Sequence, residues 1–505
     1  SIVQLQFDTC FNEIIPSSLI PESITMVDFG KRFNQTIDLN VLPSSVTSIK
    51  LSSSFNQPLI PGSLPVSITS IRFGDDFRQP LQAGQLPAQL KHLSFGLHFN
   101  NELQEGVLPD SLTDLSLGSE YKRPLPQRVL PRGLKRLVLG SGFDLPIGSN
   151  SLPASLETLH TGYCFNQVLE HGAIPDNIRD LSFGFLFNTP ITLGQLPSKL
   201  RTLKLGFNFN QPLGIGVLPA QLETIEFSSE FNRPVPVGVL PSSLINIKFG
   251  FKFNQPLQPG AVPEGCTHLR LGAEFNQTLP PGVLPSTVTL LKFGWDFDRP
   301  LAVGSIPAAV TNLEFGHRFN QPLAPGCIPN VCEQLQFGTM YTQKMPKDVL
   351  PVSLLALKLG SNLQLSDVVL PDKLYLLETY CSDMKEAQHQ IPSSLRHLKL
   401  LYSEPWRAGH NKCTGIQYVP STVRHLGVSK RLALVEMQNG GTFPAHVADV
   451  AVLLNELRLM HIRRLDDQYS LVHTSKDNML TVPNDLMAEY LLDYFNVDDN
   501  DQHLD

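Results

Sequence analysis

Apolar positions along this chain follow a fixed order of spacings that changes from strand-like to turn-like and then starts again. From Pro197 the sequence reads Pro-Ser-Lys-Leu200-Arg-Thr-Leu203-Lys-Leu205-Gly206, then Phe209-Asn210-Gln-Pro-Leu213. Leu203 and Leu205 alternate with polar neighbours, the period of a strand with one buried face. Proline has no N–H to give a ladder and suits the approach to that strand, while Gly206 suits the turn that ends it. The aromatic three residues past the glycine is the bulkiest apolar group of the segment, and the pattern predicts that it fills a corner of the core.

The segment recurs at a constant step of 22. Sixteen aromatics stand at that interval from Phe11 to Tyr341, all Phe except Tyr121 and Tyr341. Prolines keep the step from Pro21 to Pro351, each preceded by Leu, Ile or Val. One such coil cannot bury its own apolar face, so coils must stack and share a parallel strand ladder and a core. The expected fold is mainly β, a parallel β-solenoid of about sixteen regular coils over residues 1–360.

Asparagine follows the aromatic at eleven of the sixteen sites, Asn12, Asn34, Asn56, Asn100, Asn166, Asn188, Asn210, Asn232, Asn254, Asn276 and Asn320. A side-chain amide in that slot can satisfy backbone groups in a turn, which predicts a stacked structural ladder. Asn34-Gln-Thr36 and Asn276-Gln-Thr278 also read as glycosylation acceptors, but they occupy the same slot as the others. Arg78, Lys122, Asp144, Asp298 and Thr342 stand where the amide is lost, and read as gaps in the ladder.

Register loosens after Tyr341. Pro371, Pro392 and Pro420 restart the motif at spacings of 20, 21 and 28, so residues 361–435 read as degenerate coils. From 436 to 505 the period changes, with Val447, Val450, Leu454, Leu457 and Leu465 and then Leu486, Tyr490, Leu491 and Tyr494 near helical spacing. A small α-helical cap over the last coil is expected there, followed by an acidic tail with Asp498, Asp499, Asp501 and Asp505. At the other end Ile2, Leu5 and Phe7 fill the slots of a coil without its proline, and a preceding segment is expected in the full protein.

Composition narrows the function classes. A net charge of −7 gives no general attraction to nucleic acid or an anionic membrane, so neither is an expected partner. Seven scattered cysteines without a CxxC pair imply neither a disulfide framework nor a zinc site, and point to a reducing, cytoplasmic setting. Walker, GxSxG, HExxH and EF-hand spacings are absent, so no catalytic site or cofactor is expected.

The Leu-x-x-Leu-x-[Phe/Leu] opening after Leu-Pro resembles leucine-rich repeats. The full unit, with Phe-Asn-x-Pro-Leu at a 22-residue step, resembles the FNIP repeat family known from social amoebae and giant DNA viruses of amoebae. The resemblance implies a leucine-rich-repeat-like solenoid acting in protein recognition, in host cytoplasm if the source is viral. Many relatives carry an F-box that docks the repeats, as substrate receptor, onto a cullin-RING ubiquitin ligase.

A recognition surface would use slots that vary from coil to coil. Seven of the sixteen residues seven past the proline are basic, with Lys204, Lys248, Arg270 and Lys292 among them, and three are acidic. Ten past the proline stand Tyr163, Phe185, Phe207, Phe251 and Trp295. Aromatics beside cations are the composition of interface hot spots, so these nine residues are the candidate face for a partner protein of acidic character. The alternative is a self-assembling structural repeat protein, in which exposed coil ends stack on further copies.

Overall fold

Each coil places one three-residue strand in the same part of its sequence, because the residue six past the proline has to point inward while its neighbours point out. In the coil opening at Pro197, Thr202–Lys204 is the strand and Leu203 is fully buried between Thr202 and the exposed Lys204. The interior of that coil is closed by Leu200, Leu205, Phe209, Leu213, Val217 and Leu218, all buried. Each such side chain contributes on the order of 1.5–3 kcal/mol on leaving water, which no single coil could collect alone. The structure is a computed structural model that describes residues 3–380, 387–401, 419–429, 447, 449–455, 458–464, 469–474 and 479–483.

The chain divides into two units, 1–266 and 267–505. In the first, strands run from β1 (Gln4–Gln6) through β10 (Thr202–Lys204) and β11 (Thr224–Glu226) to β12 (Asn246–Lys248) at a constant step of 22. Neighbours pair in parallel and in register, Leu203 opposite Leu181 on one side and Ile225 on the other. In the second unit β13 (His268–Arg270), β14 (Leu290–Lys292), β15 (Asn312–Glu314), β16 (Gln334–Gln336) and β17 (Ala356–Lys358) keep that step. The five-residue strands β18 (Leu376–Tyr380), β19 (His397–Leu401) and β20 (His425–Ser429) then add in parallel with partners 20, 21 and 28 residues apart. The loosened proline spacing therefore lengthens or shortens the connection and leaves the ladder intact.

Rings fill the corner opposite. From Phe11 to Phe253 in the first unit successive rings stack with centroids 5.9 to 6.5 Å apart. Phe275, Phe297, Phe319 and Tyr341 stack in the second at 5.8 to 6.3 Å. Where the residue eight past the proline is also Phe, the two rings of one coil pack together as well, stacked for Phe183 on Phe187 at 3.9 Å and tilted for Phe227 on Phe231 at 4.5 Å.

The recurring glycine after the strand, replaced by serine at Ser52 and Ser228, sits where successive coils come close. A Cβ on Gly206 would stand 1.7 Å from the carbonyl oxygen of Gly184 in the coil before, so the turns of successive coils touch backbone to backbone. A different slot carries the left-handed conformation: nineteen past the proline, Gly216 has φ +78°, and Arg128 adopts φ +69° in the same slot of its coil.

The C-terminal segment departs from expectation. Residues 449–455 and 458–464 are strands and not helix: β21 (Asp449–Asn455) extends β20 in parallel, and β22 (Arg458–Arg464), β23 (Tyr469–Thr474) and β24 (Met479–Pro483) follow as an antiparallel meander. The free edge of β20 offers a row of N–H and C=O groups that a strand can pair and a helix cannot. The second expected helix, around Leu486–Tyr494, and the acidic tail lie outside the described residues.

Candidate interaction surface

Stacking at a 22-residue step turns every slot of the repeat into a column, and three columns carry polar or aromatic groups to the surface. In the column after the core aromatic, side-chain oxygens accept backbone N–H groups one coil further on. Asn12 Oδ1 takes the Asn34 amide at 2.7 Å, Asn34 that of Asn56 at 2.8 Å, and Asn56 that of Arg78 at 2.9 Å. Asn100 takes Lys122, Asn166 takes Asn188, Asn188 takes Asn210, Asn210 takes Asn232 and Asn232 takes Asn254. In the second unit Asn276 takes Asp298 and Asn320 takes Thr342.

Asp144 and Asp298 are not gaps. Their carboxylates accept the Asn166 and Asn320 amides at 2.9 and 3.0 Å, because the ladder needs an acceptor at this atom and uses no donor. The Asn34 side chain, half-buried, is committed in the same way, its oxygen also accepting from Gln57 Nε2 at 3.2 Å. These glutamines form a parallel rail that sequence reading missed: Gln35, Gln57, Gln79 and Gln167 each donate Nε2 to the carbonyl or side-chain oxygen of the previous coil's Asn or Asp. Its signal was present, as Gln at the position following the asparagine.

The outward strand column does not form a free basic stripe. Lys204 and Lys248 lie on either side of Glu226 and both pair with it, Lys204 at 3.8 Å. Lys292 pairs with Glu314 at 2.6 Å, and Lys358 with Glu378 at 3.1 Å. Arg270 is exposed and has no carboxylate partner among the described residues. It stands at one end of a recess of about 340 Å³ on the strand face of the second unit. Three cations, Arg270, Lys292 and Lys358, face two carboxylates there, Glu314 and Glu378, with Asn312, Gln334 and Gln336 between them.

The aromatic column breaks into separate groups. Tyr163, Phe185 and Phe207 stack face to face with centroids 4.6 and 4.3 Å apart and interplanar angles of 10° and 6°. Phe251, in the same unit, is 57% exposed and stacks on no other ring among the described residues. Trp295, in the second unit, lies on the imidazole of His317 at 4.1 Å, and Thr339 Oγ1 hydrogen-bonds His317 Nδ1. His317 extends the column beyond Trp295 with a polar ring, which an apolar pattern does not reveal.

Residues 11–362 are matched by successive copies of one family description, FNIP Repeat, in ten overlapping or adjoining stretches from 11–54 to 319–362. The chain belongs to the FNIP repeat family. Among solved structures, this FNIP chain is 33% identical to one described as CroV588, a novel circular LRR protein, with a TM-score of 0.74 over 84% of this chain. It spans 66% of that protein's length. An internalin (inlF) from Listeria monocytogenes is 12% identical over 75% of this chain and 81% of its own, with a TM-score of 0.27. No curated protein matches the FNIP chain.

Proposed function

We propose that this FNIP-repeat chain is a protein-recognition module whose strand face in the second unit receives an acidic segment of a partner protein. Repeat solenoids of the leucine-rich-repeat type commonly serve as interaction scaffolds, because their outward columns vary freely while the core slots do not. The observation that carries the proposal is Arg270, an exposed guanidinium left without a carboxylate at the end of a recess whose other cations are paired. A guanidinium in that position supplies a bidentate site for an incoming carboxylate. A substrate-receptor role in a ubiquitin ligase, which family resemblance implies, would use the same face. Free thiols at Cys10, Cys164, Cys327 and Cys332 support a reducing compartment, and no described helix is long and apolar enough to cross a membrane.

The test is affinity capture with the full chain and its Arg270→Glu variant side by side, each first shown to have the same thermal transition. A discrete partner retained by the parent chain and lost by the variant supports the proposal. Equal capture by both overturns the assignment to Arg270, and recovery of the chain alone favours self-assembly.

A further inference from the structure

The exposed aromatic column of the first unit is interrupted at Ser229. Phe185 lies between Tyr163 and Phe207, 4.6 Å from one and 4.3 Å from the other. Two coils further along, Ser229 stands between Phe207 and Phe251 in the slot that Phe185 fills between its own neighbours. The backbone does not change across the gap. Leu186 N–H donates to the Tyr163 carbonyl at 2.9 Å, Asn208 to Phe185 at 2.9 Å, Glu230 to Phe207 at 3.0 Å and Lys252 to Ser229 at 2.8 Å. Coil spacing therefore stays constant through Ser229, and only the side chain is missing from the stack.

We infer that this slot between Phe207 and Phe251 receives one aromatic side chain from a bound polypeptide, which completes the stack that Ser229 interrupts. Its two walls are among the exposed large apolar groups of the unit, 42% exposed for Phe207 and 57% for Phe251. An inserted ring would stack on both faces, the offset geometry that aromatic pairs prefer. Ser229 is half-buried and contributes no ring to the column.

The charges beside it decide between a peptide and a nucleobase. On the coil of Ser229, Glu226 and Glu230 flank the slot, and the adjacent cations are engaged by them: Lys204 and Lys248 by Glu226, Lys252 by Glu230 at 2.7 Å. A nucleotide would bring phosphates to a neighbourhood of carboxylates whose neutralising cations are already paired, whereas an uncharged phenyl or phenol ring meets no such cost. The inference does not depend on Arg270, which lies in the other unit, so either can fail without the other.

Saturation-transfer NMR on the full chain with N-acetyl-phenylalanine amide, N-acetyl-leucine amide and adenosine monophosphate as probes tests it. The phenyl protons should receive several-fold more saturation than the leucine methyls, and Ser229→Phe, which fills the slot from within, should remove that difference. The same variant should melt no lower than the parent, because it extends a stack the coil geometry already accommodates. If S229F does not fold, Phe207→Ser removes one wall and should abolish the phenyl signal. Phenyl saturation unchanged in the folded variant, or equal for leucine, overturns the slot. A stronger response from adenosine monophosphate that S229F abolishes overturns the choice of a polypeptide ring.

Discussion

The side-chain oxygen of Asn188 accepts a hydrogen bond from the backbone N–H of Asn210, one coil later, at 2.8 Å. Neither residue touches a partner in its own turn through that bond; the link runs along the stack. The atom that matters is an oxygen, since Asp144 and Asp298 serve as well.

Replacing Asn188 by Leu should therefore leave the Asn210 amide without an acceptor and destabilise the first unit by about 1–3 kcal/mol. Asn188→Asp keeps the acceptor and should fall within about 0.5 kcal/mol of the parent. Urea unfolding midpoints of the two variants, with hydrogen exchange at the Asn210 amide, separate them.

Arg128 holds φ +69° in a slot where most coils have glycine. Arg128→Gly relieves a left-handed conformation that costs an ordinary residue about 1–2 kcal/mol, partly offset by the greater freedom glycine has when unfolded. A small rise in the thermal midpoint is expected. Gly216→Ala, at φ +78°, should lower it. Opposite signs from the two exchanges would be the diagnostic result of a calorimetric comparison.

The hydroxyl of Tyr341 is buried at the end of the second unit's ring column and has no hydrogen-bond partner among the described residues, and burial raises its pKa well above the ordinary phenol value. Phenylalanine is the column's usual residue. Tyr341→Phe removes a buried, unsatisfied polar group and should stabilise the unit by about 1 kcal/mol, read as a higher denaturant midpoint.

His160 sits in the outward strand column, where burial first and then the charges of Arg136 and Lys204 lower its pKa from the ordinary 6.5. Below 6.5 the unfolded chain binds this proton more readily than the folded one, so stability falls as pH drops through the lowered folded value. His160→Gln should lose less thermal stability than the parent between neutral pH and about pH 5. Equal losses in paired melting curves would remove His160 as the cause.

Periodicity made the solenoid readable because the core slots repeat their demands: an aliphatic at Leu203, a ring at Phe209, and a small residue at Gly206, where Ser52 and Ser228 stand in their own coils. The reason for that glycine was not readable, since its conformation is ordinary and its constraint comes from the Gly184 carbonyl 22 residues away. Charge pairing was within reach, because Lys204, Glu226 and Lys248 occupy consecutive places in one column and must meet once coils stack in register. The C-terminal segment misled for a physical reason. Val450, Leu454 and Leu457 fit a helical face by spacing alone, while the deciding influence, the unpaired edge of β20, is visible only when the ladder is built.

Because the contacts that join coils link a residue to its counterpart in the next turn, an in-frame gain or loss of one whole repeat in the gene leaves the kinds of contact unchanged at the seam. Within the regular first unit, duplicated coils would start as neutral copies whose surface slots are then free to diverge. Partner choice in such a protein can change by copying and drift of its turns while the residues that fold it stay as they are.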